Sequence, residues 1–253
     1  MTYPVKLTPP QFHEFLNGEP LPPGTAAPPE PPKAPGKRRR CFLSYEPEIL
    51  TAFFCVLVSE VDKKLYEEAF SGTVGEVKSL FLKHPEVNVN YAHEGGEGKA
   101  ALHHACEAGH VTIVDILLAH PDIDVNQKTH TGKTPFFFAC FYGKTSCVRA
   151  MLHDARVSIN ERETDGYTPL CWAAFHGYID VIHQMIASGR ELDLGKSGEK
   201  GDAIGEAGGK KKTQIVKLLH KYKKDHMKTA DQIRKDLKIK GNVASCCCFF
   251  ASV

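Results

Sequence analysis

The stretch Gly166-Tyr167-Thr168-Pro169-Leu170-Cys171-Trp172-Ala173-Ala174 decides the fold, because near-copies of it begin at Gly132-Lys133-Thr134-Pro135-Phe136 and at Gly98-Lys99-Ala100-Ala101-Leu102-His103-His104-Ala105. Ala105, Ala139, Ala173 and Ala207 stand 34 residues apart, and Leu102, Phe136, Leu170 and Ile204 precede each alanine by three places. A fixed period of this length means that one supersecondary unit is stacked on copies of itself, each burying a face it could not bury alone. Function is therefore sought on a repeated surface.

Within each copy the signals come in a constant order. In the third, Gly132-Lys133-Thr134-Pro135 leads into an apolar helix start from Phe136 to Cys140, then Gly143, then Val148, Met151 and Leu152. Pro135 fixes the backbone of a first helical turn, and Gly143 permits the left-handed residue that ends the helix. Val148, Met151 and Leu152 recur at helical spacing and give a second helix one apolar face. Each repeat is thus predicted to be two short helices.

These segments resemble the G-x-T-P-L-H-x-A-A pattern of ankyrin repeats. Gly109-His110, the run Ile116-Leu117-Leu118 and the loop His120-Pro121-Asp122-Ile123-Asp124-Val125-Asn126 agree with it. Three copies match well, from Gly98, Gly132 and Gly166, and two flanking copies are degenerate. The first of these keeps Gly72, His84-Pro85 and Val89-Asn90; the last keeps Ala207, Val216, Leu218 and Leu219 but has Lys211 where the helix-stop glycine belongs. Other departures are Ala101 for the proline, and Phe137 and Cys171 for the consensus histidine. The resemblance implies an all-α, right-handed solenoid whose β-turn fingers and first helices line a concave protein-binding face. Its terminal repeats are atypical because their outer faces meet water.

Outward from the repeats, the chain divides by composition. Residues 1–40 read as a disordered Pro-rich arm: 18–36 is GEPLPPGTAAPPEPPKAPG, too poor in core formers to fold, followed by Lys37-Arg38-Arg39-Arg40. Residues 41–61 read as an N-terminal capping helix, since the apolar run from Ile49 to Val58 is only half the roughly 20 residues needed to cross a bilayer. The repeat domain is expected over 62–225, with repeats at 62–95, 98–129, 132–163, 166–199 and 202–225. Residues 226–253 form a basic helix, with Thr229 and Gln232 as a capping box and Gly241 as a stop, and a Cys-rich tail.

With 42% hydrophobic and 25% charged residues and a net charge of +2, the 253-residue chain has the makeup of a soluble protein without a polyanion partner, so no nucleic acid is expected. Charge is concentrated at one end, where residues 210–240 hold 12 Lys plus Arg against three Asp. Nine cysteines form no CxxC pair and no zinc-ligand spacing, so neither metal nor cofactor is expected. The chain reads as reduced and cytoplasmic, with nuclear or membrane-peripheral placement as alternatives. No phosphate loop, nucleophile elbow or H-E-x-x-H is present, and an enzyme is not expected.

The first helix of each repeat carries two faces. Phe136, Ala139, Cys140 and Gly143 keep small or apolar counterparts at the period, as packing demands. Phe138, Phe141 and Tyr142 lie at i, i+3 and i+4 on another face, matched by Trp172, Phe175 and His176 one repeat on, and by His104, Glu107 and Ala108 one repeat back. Finger residues His130, Thr131, Lys133, Thr164, Asp165 and Tyr167 flank this stripe. Aromatics on a rigid surface are what a binding hot spot needs, and these residues with Glu107 are the candidate partner-binding set. For Phe138 and Trp172, packing between repeats is an equal alternative.

Weaker motifs lie outside the repeats. Pro28 to Lys33 and Pro32 to Lys37 fit a ligand for an SH3-type domain, although any Pro-rich spacer ending in lysines does the same. Cys246, Cys247 and Cys248 follow a polybasic segment, the two-signal arrangement of an S-acylated membrane anchor. The expected function is a non-enzymatic adaptor that binds another protein on the concave face; the alternative is a membrane-peripheral regulator recruited through the tail.

Overall fold

The computed structural model describes residues 7–18, 60–93, 97–195, 198 and 201–239. Its first helix is α1 (Pro9–Asn17), and the period then unfolds as helix pairs. These are α2 (60–71) with α3 (Val74–Lys83), α4 (Ala101–Ala108) with α5 (Val111–Ala119), and α6 (Pro135–Phe141) with α7 (Thr145–Leu152). They continue as α8 (Pro169–His176) with α9 (Ile179–Ala187) and α10 (Ala203–Gly209) with α11 (Thr213–Lys224), and α12 (His226–Asp236) closes the order. First helices α4, α6, α8 and α10 pack on one another, and so do second helices α5, α7 and α9. The result is an all-α solenoid of two helical layers.

Helix starts follow the local chemistry. Thr134 Oγ1 accepts the Phe137 N–H at 3.2 Å and Thr168 Oγ1 accepts the Cys171 N–H at 3.3 Å, each just before a proline. The second repeat has Ala100 in that place and solves the problem with His103. Its Nδ1 accepts the Ala100 N–H at 3.0 Å and its Nε2, which then carries the proton, donates to the Gln127 carbonyl at 3.0 Å. One imidazole thus caps α4 and ties it to the next finger.

Helix stops are equally local. Gly109 and Gly177 end α4 and α8 with φ of 92° and 91°, and at the equivalent place in the fifth copy Lys211 is held at φ 57°. A residue with a Cβ loses about 1–2 kcal/mol in this conformation. Lys211→Gly is therefore expected to raise stability by about 0.5–1 kcal/mol after the extra freedom of the unfolded chain is subtracted, and the melting temperature by about 2–4 °C in scanning calorimetry. An unchanged or lower melting temperature would show that the lysine side chain contributes more than its backbone costs.

Neighbouring repeats are stitched at both edges. On the finger edge the His130 N–H donates to the Glu97 carbonyl (2.9 Å) and the Thr164 N–H to the Thr131 carbonyl (3.1 Å). On the opposite edge asparagines bridge to the next loop: Asn90 to Asp122 and Asp124, Asn126 to Arg156 and Ser158, Asn160 to Glu191 and Asp193. Between the edges, Leu102, Phe136, Leu170, Val148 and Met151 are fully buried, as the spacing requires. Cys106 and Cys140 fill the same core, the Cys106 thiol lies 3.4 Å from Met151 Sδ, and burial pushes both thiols well up, so they stay protonated.

The ends depart from the sequence reading. Residues 7–18 belong to no coreless arm: α1 lies against the solenoid with Leu7, Phe12 and Leu16 buried. Phe12 and Leu16, one helical turn apart, with Leu7 just ahead of the helix, outweigh the proline-rich composition, and Pro9 and Pro10 occupy first-turn positions where proline is at home. At the other end α12 is capped by Asp225, which accepts the Lys228 N–H at 3.0 Å. Thr229 sits buried inside the helix and donates to the Asp225 carbonyl, so the expected Thr229–Gln232 capping box does not form. The capping helix expected over 41–61 lies outside the described residues except for its last two positions, which open α2. The Pro-rich stretch after Gly18, the Lys37–Arg40 run, Gly241 and the Cys246–Cys248 tail also lie outside them.

Candidate protein-binding face

The first helices put their variable positions in register. Phe141 and Trp172 have ring centroids 5.0 Å apart across the α6–α8 junction, and His176 lies 5.0 Å from Phe141. Trp172 continues the cluster to Phe175 (5.5 Å), to Tyr167 of the finger (5.5 Å) and to His176 in a near-parallel stack (5.8 Å). Tyr142, 40% exposed, packs its edge on Phe141 at 5.0 Å. The two-repeat aromatic stripe is therefore continuous, with Phe141, Trp172, Phe175 and His176 half-buried. Phe138, in contrast, is only 4% exposed and packs on the His103 ring, so of its two readings the structure gives inter-repeat packing. Of the finger residues, His130, Thr164 and Asp165 are exposed and Thr131, Lys133 and Tyr167 half-buried.

Two carboxylates hold this surface in shape. Glu163, buried at the root of a finger, accepts the Trp172 indole N–H at 2.6 Å and pairs with Lys133 at 3.7 Å, which fixes the tryptophan's orientation. Glu107 is gripped by Lys99 at 3.0 Å and takes a hydrogen bond from Tyr142. Lys99 in turn lies 4.7 Å over the Phe138 ring and Lys210 lies 4.3 Å over Phe175, cations on aromatic faces at both ends of the stripe. Pre-set side chains lose little entropy when a partner arrives.

The histidines divide by surroundings. His104 is buried between the edges of Tyr66 (4.4 Å) and Phe70 (5.2 Å), with no hydrogen-bond partner on either ring nitrogen, and burial lowers its pKa. His176 is pushed the same way by burial and then by Lys212 and Lys210. His110 reaches the Phe70 carbonyl at 3.0 Å and so joins the first two repeats.

Several residues of this face escape a strict 34-residue count. Gly72 ends α2 with φ 82° just as Gly109 ends α4, but the two are 37 residues apart. Aligned on the glycines, Phe70 occupies the place of Glu107, Phe141 and Phe175, and at 56% exposure it carries the stripe into the first repeat. The stop glycine was the signal that could have found it. Lys99 stands one period before Lys133 and Lys210 one period after His176, so the period itself could have found both, whereas Glu163 has no such signal, since it acts through Trp172 of the next repeat.

Among the described residues no group of three or more His, Cys, Asp or Glu is placed to hold a metal ion, and no helix is long and apolar enough to cross a membrane. A family model for ankyrin repeats, in three copies, matches residues 65–162 and 122–197. The putative ankyrin repeat protein YahD of Escherichia coli (strain K12) is 55% identical over 38 residues, 15% of this chain and 19% of that protein. The chain thus spans about a fifth of the curated relative it matches. Matched segments, paired helices and stitched fingers agree over more than half of the sequence: the chain belongs to the ankyrin repeat family.

Proposed function

We propose that the chain is a non-enzymatic interaction module that binds a partner protein on the face formed by its fingers and first helices. The family as a whole serves protein–protein interaction. The observation that carries the finer reading is the row Phe70, Phe141 and Phe175, one equivalent position in three repeats, exposed at Phe70 and half-buried at Phe141 and Phe175, and set on a doubly stitched scaffold. Structural positions in the same helices are fully buried, so packing does not require these rings. Tyr142, Trp172, His176, His130, Thr131, Lys133, Thr164, Asp165, Tyr167 and Glu107 complete the contact set.

Affinity capture with mass spectrometry identifies the partner, and titration of that partner tests the face. The double variant Phe141→Ser/Phe175→Ser is expected to weaken binding at least tenfold while melting within a few degrees of the parent. Full binding by the variant removes the face from the function. A partner with an SH3-like domain would assign the contact to the Pro-rich stretch instead.

A second reading rests on the exposed lysines of the last two helices, Lys217, Lys221, Lys223, Lys224, Lys228 and Lys235, which precede Cys246, Cys247 and Cys248. Such a surface suits anionic headgroups once an acyl chain supplies the second signal. Fractionation of the tagged chain with and without residues 242–253 separates this reading from a cytoplasmic adaptor. An unchanged distribution removes the anchor.

A further inference from the structure

Apart from α1, each described helix is joined to the described helix before it by a loop of the repeat or, for α12, by Asp225 alone. α1 is separated from α2 by residues 18–59, and 18–36 of that connection is the Pro-rich stretch. Yet α1 is a complete helical unit. Gln11 Oε1 accepts from both the N–H (3.0 Å) and the hydroxyl (2.8 Å) of Thr8 at its start, and Gly18 ends it at φ 80° with its N–H on the Phe15 carbonyl.

Its seat lies on the second-helix layer, far in sequence from the fingers. Phe12 meets Phe81 of α3 edge-on at 5.3 Å and the ring of His120 beyond α5 at 4.8 Å, and the Leu7 N–H lies 3.4 Å from the Ala119 carbonyl. Two periods later Ala187 plays the same part for α12, accepting from Arg234 Nε at 2.7 Å while Ala230 and Ile233 are buried. The second-helix layer therefore offers a ledge that takes a short amphipathic helix, used at one end by a helix joined to its neighbour through a single residue and at the other by one that residues 18–59 separate in sequence from the next described helix.

The difference in attachment has a thermodynamic consequence. A nine-residue helix is below the length that holds in water unaided, so α1 owes its order to Leu7, Phe12 and Leu16 on the ledge. Those three anchors are opposed by the entropy of ordering residues 7–18. Docking of α1 is thus a local equilibrium that can open without unfolding the repeats.

We propose that the α3–α5 ledge is an exchangeable helix-binding site, filled in cis by α1 and open to a partner's amphipathic helix that presents an aromatic residue and a leucine one turn apart, as Phe12 and Leu16 do. The ledge recognises such a helix by i, i+4 anchors and not by charge. It is separate from the finger-side face, and each can fail without the other.

The probe is a dye-labelled peptide of residues 5–18, titrated by fluorescence anisotropy into the full chain and into its Phe12→Asp variant, which seats a charge where the ring packs. The peptide is expected to bind the variant saturably and at least tenfold more tightly than the parent, whose ledge is occupied. A peptide carrying its own Phe12→Ala should bind neither. Equal binding to both chains, or to neither, overturns the proposal. Should the Asp variant melt early, Phe12→Ala/Leu16→Ala in the full chain takes its place with the same expected order. A parent that dimerises with concentration in size-exclusion chromatography while Phe12→Asp stays monomeric overturns the cis assignment and makes the ledge a site of arm exchange between copies.

Discussion

Lowering the pH from 7.5 to 4.5 is expected to remove about 2–3 kcal/mol of stability through His103 alone. Its ring is fully buried, and burial pushes its pKa down from 6.5 to about 4 against the opposing pull of carbonyl partners. The unfolded chain takes up a proton at about pH 6.5 that the folded chain refuses until about pH 4. The contribution is therefore complete above pH 6.5, falls as the pH drops through that window, and is lost below it. Protonation also destroys the acceptor that caps α4, since Nδ1 can then no longer receive the Ala100 N–H. His104, His120 and His176 shift in the same direction through burial and steepen the fall, whereas Asp62 and Asp115, raised by burial, oppose it.

The variant His103→Gln separates these contributions. A glutamine can imitate both hydrogen bonds imperfectly, at a cost of about 1–2 kcal/mol at pH 7.5, and it does not titrate. Urea unfolding of parent and variant at pH 7.5, 6.5, 5.5 and 4.5 should show the gap between them closing as the pH falls and reversing at the lowest pH, where the variant becomes the more stable by about 1 kcal/mol. A gap that stays constant would mean that His103 titrates as an ordinary histidine.

What the sequence made legible is what the period repeats. Ala105, Ala139 and Ala173 are fully buried because each repeat presents the same small residue to its neighbour, and local signals such as Thr134-Pro135 place the helix starts without help from the rest of the chain. The positions that escaped are set by something other than the period. α1 has no counterpart to be compared with, and its proline-rich surroundings mask three anchors that matter only once Phe81 and His120 are in place. Phe70 was hidden by three extra residues between Gly72 and Gly98, one ahead of His84 and two after Asn90, and Glu163 by the fact that its partners, Trp172 and Lys133, lie on two different repeats. Half of the candidate face was readable as variation on a constant frame. Of the charges that orient it, Lys133 and Glu107 were readable in the same way, whereas Glu163 was not, because a salt bridge leaves no spacing behind.

Asn126→Ala is expected to cost about 2–4 kcal/mol, a large share of the margin by which a domain is stable. The side chain donates to the Arg156 carbonyl and accepts the Ser158 N–H, both at 2.7 Å, so one amide replaces the backbone pairing that two successive loops would otherwise lack. Truncation leaves a donor and an acceptor with no partner in a partly buried seam, and each such group costs about 1–3 kcal/mol when water cannot reach it freely. Asn90 and Asn160 make the same two bonds one repeat to either side, both exposed at Asn90, one exposed and one partly buried at Asn160. Asn90→Ala should cost about 1 kcal/mol, because water replaces the lost partners, and Asn160→Ala about 1–2 kcal/mol, between the other two. Chemical denaturation of the three variants tests the ordering. Because a solenoid's stability is the sum of its units and the interfaces between them, the Asn126 variant should also lose the single sharp transition of the parent and unfold in two steps, with the break between the second and third repeats. Equal losses at all three positions would mean that the seam is wet throughout and that the ladder sets register without holding the repeats together.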